Sequence, residues 1–120
     1  MHKDVDQLHF DEVVRELAAA LGRSVVALLA GVRETKLVGK WERGDVAPQM
    51  NRDLALKTAL QIVRILQPRY QRGSIISWLS GTNPRLNGDS PIEVVARMVR
   101  GYRPEEARRI LNAAKAFSNR

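Results

Sequence analysis

The sequence predicts an all-α protein with an N-terminal helix-turn-helix lobe and a C-terminal helical lobe. Apolar residues recur at intervals of three and four along most of the chain, which is the pattern of amphipathic helices. Signals for β-strands are weak, because aromatic residues are only 5% of the chain and no alternating segments flank Asn87-Gly88. Glycines and prolines also divide the chain into segments of helical length.

Three short helices are expected in the first half of the chain, each followed by a glycine. They are expected over residues 10–21, 25–30 and 34–43. Ser24 is a suitable N-cap for the second of them. The short middle helix and the turn at Gly31-Val32 that follows it have the proportions of a helix-turn-helix.

Four further helices are expected in the rest of the chain, over residues 51–66, 70–79, 91–99 and 104–117. Asn51 is the expected N-cap of the first, and Ser90 and Glu93 have the spacing of a capping box at the third. Pro68 is the expected boundary between a helix-turn-helix and dimerisation domain, residues 1–67, and a second domain, residues 68–120.

The helix at residues 51–66 carries apolar residues around much of its circumference. In a small domain such a helix either crosses the core or meets a second copy of itself. We expect both: a core shared by two lobes, together with a dimer contact.

Composition argues against several kinds of chemistry. The chain has no cysteine and only two histidines, His2 and His9, so disulfides are excluded and zinc or histidine-based catalysis lacks ligands and bases. Its acidic residues are scattered along amphipathic helices instead of converging on one site. We therefore expect no enzyme and no metal.

Membrane insertion is not expected either. The longest apolar run, residues 25–32, is far shorter than the roughly 20 residues that a bilayer crossing needs. The first residues mix charges and lack the apolar stretch of a signal peptide. The sequence thus predicts a cytoplasmic protein.

The charge balance favours an anionic partner. The formal net charge is +7, from 20 Lys and Arg against 13 Asp and Glu. In the third helix Leu37, Val38 and Trp41 are expected to face the core. The polar and cationic residues left on its outer side, which suit phosphate anchoring and base reading, are Arg33, Thr35, Lys36, Lys40 and Arg43.

Gly39 is a departure within that helix, because an internal glycine costs about 1 kcal/mol relative to alanine. Two explanations are open at the level of sequence. Either Gly39 allows another backbone to approach closely, or this helix reads bases poorly.

The segment from Trp78 to Pro91 is densely punctuated by turn-forming residues. Its spacing indicates that one helix stops, an ordered turn follows, and another helix begins. Leu86 is expected to be buried under the turn, with Trp78 packed beside it.

Over about residues 13–117 the chain resembles the antitoxins of RES–Xre toxin–antitoxin pairs, a group also called Xre/MbcA/ParS-like. The most specific part is W-L-x-x-x-N-P-x-L-x-G-x-S-P, carried here by Trp78, Asn83, Pro84, Leu86, Gly88 and Pro91. The stretches Gly31-Val32-x-Glu34-Thr35 and Trp41-x-x-Gly44 are similar to the N-terminal half of the same family. The interval from Gly31 to Trp41, however, is about one residue longer than in the usual Xre repressor pattern.

The resemblance implies that residues 1–67 bind operator DNA as a dimer and that residues 68–120 are a toxin-binding domain. The toxin would be a NAD-consuming RES-domain protein, blocked at its NAD-binding cleft, in a homodimer or a larger toxin–antitoxin hetero-oligomer. The resemblance also implies no catalysis and no cofactor on this chain.

Cationic and aromatic side chains of the C-terminal lobe suit contact with carboxylates of a toxin cleft. They are Arg85, Arg97, Arg100, Tyr102, Arg103, Arg108 and Lys115. Two other functions remain open: a helix-turn-helix regulator with a partner- or ligand-binding C-terminal lobe, and a structural adaptor.

Overall fold

The computed structural model describes residues 3–120, so His2 lies outside the described residues. In this range the chain forms seven α-helices and two short 3₁₀ turns, at Val5–Gln7 and Pro84–Leu86, and no strand. The helices are α1 Phe10–Leu21, α2 Arg23–Leu29, α3 Thr35–Glu42, α4 Met50–Leu66, α5 Arg72–Ser80, α6 Pro91–Arg100 and α7 Pro104–Ser118. The all-α prediction is confirmed.

Every expected helix forms, but two of the expected N-caps are wrong. Gly22 both ends α1 and precedes α2, so the second helix starts at Arg23 and Ser24 lies inside it. At α4 the side chain of Gln49 accepts a hydrogen bond from the backbone N–H of Arg52 at 2.9 Å, and the helix begins before Asn51. A side-chain oxygen that satisfies a free N–H of the first turn fixes where a helix starts.

Helix α4 crosses the middle of the molecule. It packs against α1 on one side and against α6 and α7 on others. Leu56, Leu60, Ile62, Val63 and Leu66 of α4 have no exposed surface. Most of the apolar circumference of this helix is therefore covered within one chain, although Leu54 and Ile65 are half-buried and Met50 at its start is exposed.

The expected boundary at Pro68 falls between α4 and α5, where the chain is exposed. Helices α6 and α7 return to α4, α5 packs on α6 and α1, and buried residues from Val5 to Ala114 form one continuous hydrophobic cluster. The segments on either side of Pro68 thus share one core. They can differ in the surfaces that they expose, but they are not separately packed.

Polar contacts also hold α1 in place, one within the first half and one from the second half. The guanidinium of Arg64 on α4 forms a two-pronged pair with the carboxylate of Glu16 on α1, at 2.6 and 2.8 Å. Arg72 at the start of α5 donates to the backbone carbonyl of Leu21 at 3.2 Å. Along residues 3–120 no helix combines the length and apolar character that crossing a bilayer requires.

A shared core predicts that the N-terminal half does not fold by itself. In a fragment of residues 1–67, the faces of α4 that pack on α6 and α7 would be exposed to water, which removes most of the hydrophobic stabilisation of that helix. Circular dichroism should show one cooperative thermal transition for residues 1–120 and a broad, non-cooperative loss of helix for the fragment. A sharp transition of the fragment near the full chain's melting temperature would contradict the shared core.

Candidate nucleic-acid and partner interfaces

Helix α3 is held against the core by its apolar side. Val38 is fully buried, Trp41 is 3% exposed, and Leu37 is half-buried. The ring of Trp41 meets the ring of Phe10 edge-on, with centroids 5.8 Å apart, and the guanidinium of Arg52 lies 4.9 Å from the Trp41 ring centre. These contacts fix which side of α3 faces solvent.

All five side chains predicted to face outward from this region are exposed: Arg33, Thr35, Lys36, Lys40 and Arg43. Arg43 pairs with Asp45 at 2.9 Å, and both side chains are largely exposed. Within the part of the chain that is described, Arg33, Lys36 and Lys40 form no ion pair. Three cations and a hydroxyl thus remain available to an external ligand.

The acidic residue at the end of α3 is already engaged. Glu42 accepts a hydrogen bond from Arg23 of α2 at 2.6 Å, and its backbone carbonyl accepts one from Arg15 of α1 at 2.7 Å. These bonds connect α2 and α3 at the end away from the turn. The carboxylate of Glu42 is paired with Arg23 and does not pair with the exposed cations of α3.

The turn between α2 and α3 rests on α6. The N–H of Val32 donates to the carbonyl of Ala27 at 3.0 Å and closes the end of α2. A side chain at Gly31 would lie 3.8 Å from the backbone oxygen of Ala96 on α6. The C-terminal half of the chain thus supports the turn that leads into α3.

Gly39 does not serve a close backbone approach inside the molecule. A Cβ added there would meet only the guanidinium groups of Arg43, at 3.6 Å, and Arg23, at 4.0 Å. Both are ordinary van der Waals distances at the ends of flexible side chains. Of the two explanations for this glycine, the first is therefore wrong for contacts within the chain.

The segment from Asn83 to Asp89 is an ordered turn built around Asn83. Its side-chain oxygen accepts from the N–H of Arg85 at 3.0 Å, and its carbonyl accepts from Leu86 and Gly88 at 2.9 Å each. Its own N–H donates to the carbonyl of Asp89 at 3.1 Å.

The other motif residues complete this turn. Pro84 opens the 3₁₀ turn, and Leu86 is 3% exposed beneath it. Asn87 and Gly88 both have left-handed backbones, with φ of 58° and 86°, which favour asparagine and glycine. The spacing of the motif is thus explained by the hydrogen bonding and packing of the turn itself.

Helix α6 starts with the predicted capping box. The N–H of Ser90 donates to Oε1 of Glu93 at 2.9 Å, and the N–H of Glu93 donates to the Ser90 hydroxyl oxygen at 3.1 Å. The bond from the Ser90 backbone is the main cause that lowers the pKa of the Glu93 carboxyl below its ordinary value of 4.5. Pro91 occupies the first helical position, where no N–H is needed.

A groove lies between α5, the Asn83–Asp89 turn and the end of α7. Trp78 and Phe117 form its apolar wall, with ring centres 5.9 Å apart, and Tyr70 stacks on Phe117 with ring centres 4.7 Å apart. The part between α5 and Phe117 has a volume of about 760 Å³, and a continuation of about 450 Å³ is lined by Arg85 and Arg120. We call these two parts together the aromatic groove.

The C-terminal residues proposed to contact a toxin do not form one surface. Arg85 alone among them lines the aromatic groove. Lys115 lies in a separate recess beside Arg64 and Asp4. Arg100 borders a third recess, next to Gly31.

Two other members of that group are paired within the chain. Arg97 bridges Asp89 at 3.2 Å and Glu106 at 3.1 Å, which ties the turn, α6 and α7 together. Arg103 lies 3.8 Å from Glu105 in an exposed pair. Arg108 is exposed on α7, and Tyr102 is half-buried.

Sequence reasoning missed Tyr70, which stacks on Phe117 of the aromatic groove. Tyr70 reaches Phe117 from 47 positions away and also donates its hydroxyl hydrogen to the Phe117 carbonyl at 3.0 Å. The Arg120 guanidinium lies 5.0 Å from the Phe117 ring centre. The contact of Tyr70 has no local sequence signal, whereas Arg120 follows Phe117 by only three residues.

Metal chemistry has no visible site: residues 3–120 hold no group of three or more His, Asp or Glu side chains placed to bind an ion. Comparison of the chain with protein-family models, with curated proteins and with solved structures gives no match in any of the three. The resemblance to RES–Xre antitoxins therefore depends on the sequence motifs.

Replacing Gly39 by alanine should stabilise the protein. The helical backbone at this position accepts a Cβ without strain, and alanine is favoured over glycine in a helix interior by about 1 kcal/mol. Urea unfolding should therefore give a higher free energy of unfolding for Gly39→Ala. Gly44→Ala is the matched control and should be destabilising, because φ is +74° there. A Gly39→Ala protein less stable than the wild type would contradict this structure of α3.

The capping box should make stability depend on pH. Since the folded-state pKa of Glu93 is lowered, its charge stabilises the fold above its ordinary pKa of 4.5, and this contribution is lost as pH falls through the lower, folded value. Glu93→Gln keeps the side-chain shape without the charge. It should be less stable than the wild type at neutral pH, and the two proteins should converge in acid. Urea unfolding across this range measures the difference, and a difference independent of pH would refute the assignment.

Proposed function

We propose that this chain is the antitoxin of a RES–Xre toxin–antitoxin pair. It binds a NAD-consuming RES-domain toxin and blocks it, and it represses its own operon by binding operator DNA. The observation that carries the proposal is the coincidence of two unrelated surfaces on one rigid core: the unpaired cationic side of α3, and the aromatic groove beside the motif turn.

The side of α3 supports DNA binding by its chemistry. Arg33, Lys36 and Lys40 are exposed and unpaired in the described chain, and Thr35 adds a hydroxyl at the start of the helix. A helix of this kind after a short turn lies in the major groove in helix-turn-helix proteins, with its N-terminal residues near base edges. Two copies of the chain would then be needed to read two half-sites one helical turn apart.

The aromatic groove supports binding of a protein partner. Half-buried aromatic residues next to arginines are the residue types that dominate interface energetics, and Trp78 and Phe117 stand beside Arg85 and Arg120. The ordered Asn83–Asp89 turn holds Arg85 in position, because its backbone N–H is fixed by the Asn83 side chain. We infer that the toxin contacts this groove, with Arg85 facing a carboxylate of its cleft.

Two variants, one at each proposed surface, test the two activities separately. Lys36→Ala with Lys40→Ala should weaken binding to a duplex from upstream of the chain's own reading frame by about 60-fold near 0.1 M salt, the loss expected for two phosphate contacts. The same variant should still rescue cells from the RES-domain protein encoded beside it. Arg85→Glu should do the reverse, with toxin binding weakened about tenfold or more and DNA binding retained.

Arg109→Glu is the matched control for Arg85→Glu, because it makes the same charge change on an exposed residue that lies outside the aromatic groove. It should leave both activities unchanged. A chain that binds the duplex but neither co-purifies with a neighbouring toxin nor rescues growth would instead be a helix-turn-helix regulator. Loss of both activities in Lys36→Ala with Lys40→Ala, with the fold intact, would refute the separation of surfaces.

A further inference from the structure

The recess that contains Arg100 lies between three parts of the chain that are distant in sequence. It is lined by the end of α2 and the turn at Ala30 and Gly31, by Gln49 and Arg52 at the start of α4, and by Ala96, Val99 and Arg100 of α6. Its volume is about 420 Å³, ample for one phosphate group.

The groups that line this recess suit an anion. Arg52 and Arg100 contribute two guanidinium groups, and the lining residues that are described include no acidic side chain. Arg100 is exposed and has no ion pair within residues 3–120. The recess between α6 and α7 differs, because its two arginines, Arg97 and Arg109, are balanced by Asp89 and Glu106, which pair with Arg97.

Arg52 is held in place for such a role. Its guanidinium carbon lies 4.9 Å from the centre of the Trp41 ring of α3, and its Nε atom is buried without a hydrogen-bond partner. Its backbone N–H is used to cap α4 through Gln49. Arg52 thus contacts α3 through Trp41 and also lines the recess, and stacking on the ring restrains its long side chain.

The recess adjoins the turn that leads into the proposed DNA surface. Gly31 lies two residues before Arg33 and rests against Ala96, one helical turn before Arg100 on α6. Phosphate contacts around a recognition helix position the protein on the duplex without reading its sequence. We propose that Arg100, together with Arg52, binds a backbone phosphate of the DNA that α3 contacts, so that α6 of the C-terminal half belongs to the DNA interface.

This inference rests on the proposed DNA binding. One titration shows whether the DNA binding itself fails or only the proposed phosphate contact. The probe is a fluorescently labelled duplex of about 30 base pairs from upstream of the reading frame, long enough for two half-sites. Affinity is measured by anisotropy over a range of salt concentrations for the wild type and for Lys36→Ala with Lys40→Ala. If the wild type does not bind, or the lysine variant binds like it, the DNA function itself fails.

Arg100→Gln is the decisive variant. It should lower the slope of log affinity against log salt by about 0.9 and weaken binding about eightfold near 0.1 M salt, the effect of one lost phosphate contact. Arg100→Lys keeps a charge and should restore the slope, while Arg109→Gln, on α7 and outside the recess, should behave as the wild type. Thermal unfolding of all three should match the wild type, since Arg100 is exposed. If Lys36→Ala with Lys40→Ala is impaired but Arg100→Gln is indistinguishable from Arg109→Gln, the phosphate contact is refuted and the proposed DNA binding by α3 stands.

Discussion

The burial of α4 on several sides is the constraint on which the rest of this structure depends. A 17-residue helix with Leu56, Leu60, Ile62, Val63 and Leu66 all removed from water is stable only when other helices cover it from several directions. α1 covers one side, and α6 and α7 cover others. The chain consequently has one core, although its functional surfaces lie at different places on it.

That shared core determines how the surfaces are positioned. The turn before α3 is supported by Ala96 of α6, and the Asn83–Asp89 turn is tied to α6 and α7 through Arg97. Both turns therefore depend on the middle of α6, through the adjacent residues Ala96 and Arg97. A partner that displaced α6 would disturb the support of α3, which gives a physical route by which binding at one surface influences the other.

Much of the fold could be predicted from the sequence, because the signals were local. The glycine after α1, the capping box at Ser90 and Glu93, and the Pro104 start of α7 each fix a helix end through neighbouring residues. The predicted N-cap of α4, Asn51, is wrong: Gln49 caps the helix, and glutamine is a less usual capping residue than asparagine. The exposed side of α3 was predicted for the same reason, since helical spacing alone assigns Val38 and Trp41 to the core.

The candidate surfaces of the C-terminal half could not be predicted, because they depend on contacts between distant segments. Arginine-rich composition suggested one surface, yet Arg97 is engaged in two ion pairs and Arg100 lies near Gly31 instead of beside Arg85. The stacking of Tyr70 on Phe117 likewise joins α7 to the link before α5. Only the packing of α6 and α7 on α4 decides these neighbours.

Native-state hydrogen exchange across low concentrations of denaturant tests the shared core most directly. If α4 holds both halves together, the slowest amides of α1, α4, α6 and α7 should converge on one free energy of opening, equal to that of global unfolding. Two groups of amides with separate opening energies, one in residues 10–43 and one in residues 91–118, would contradict the account.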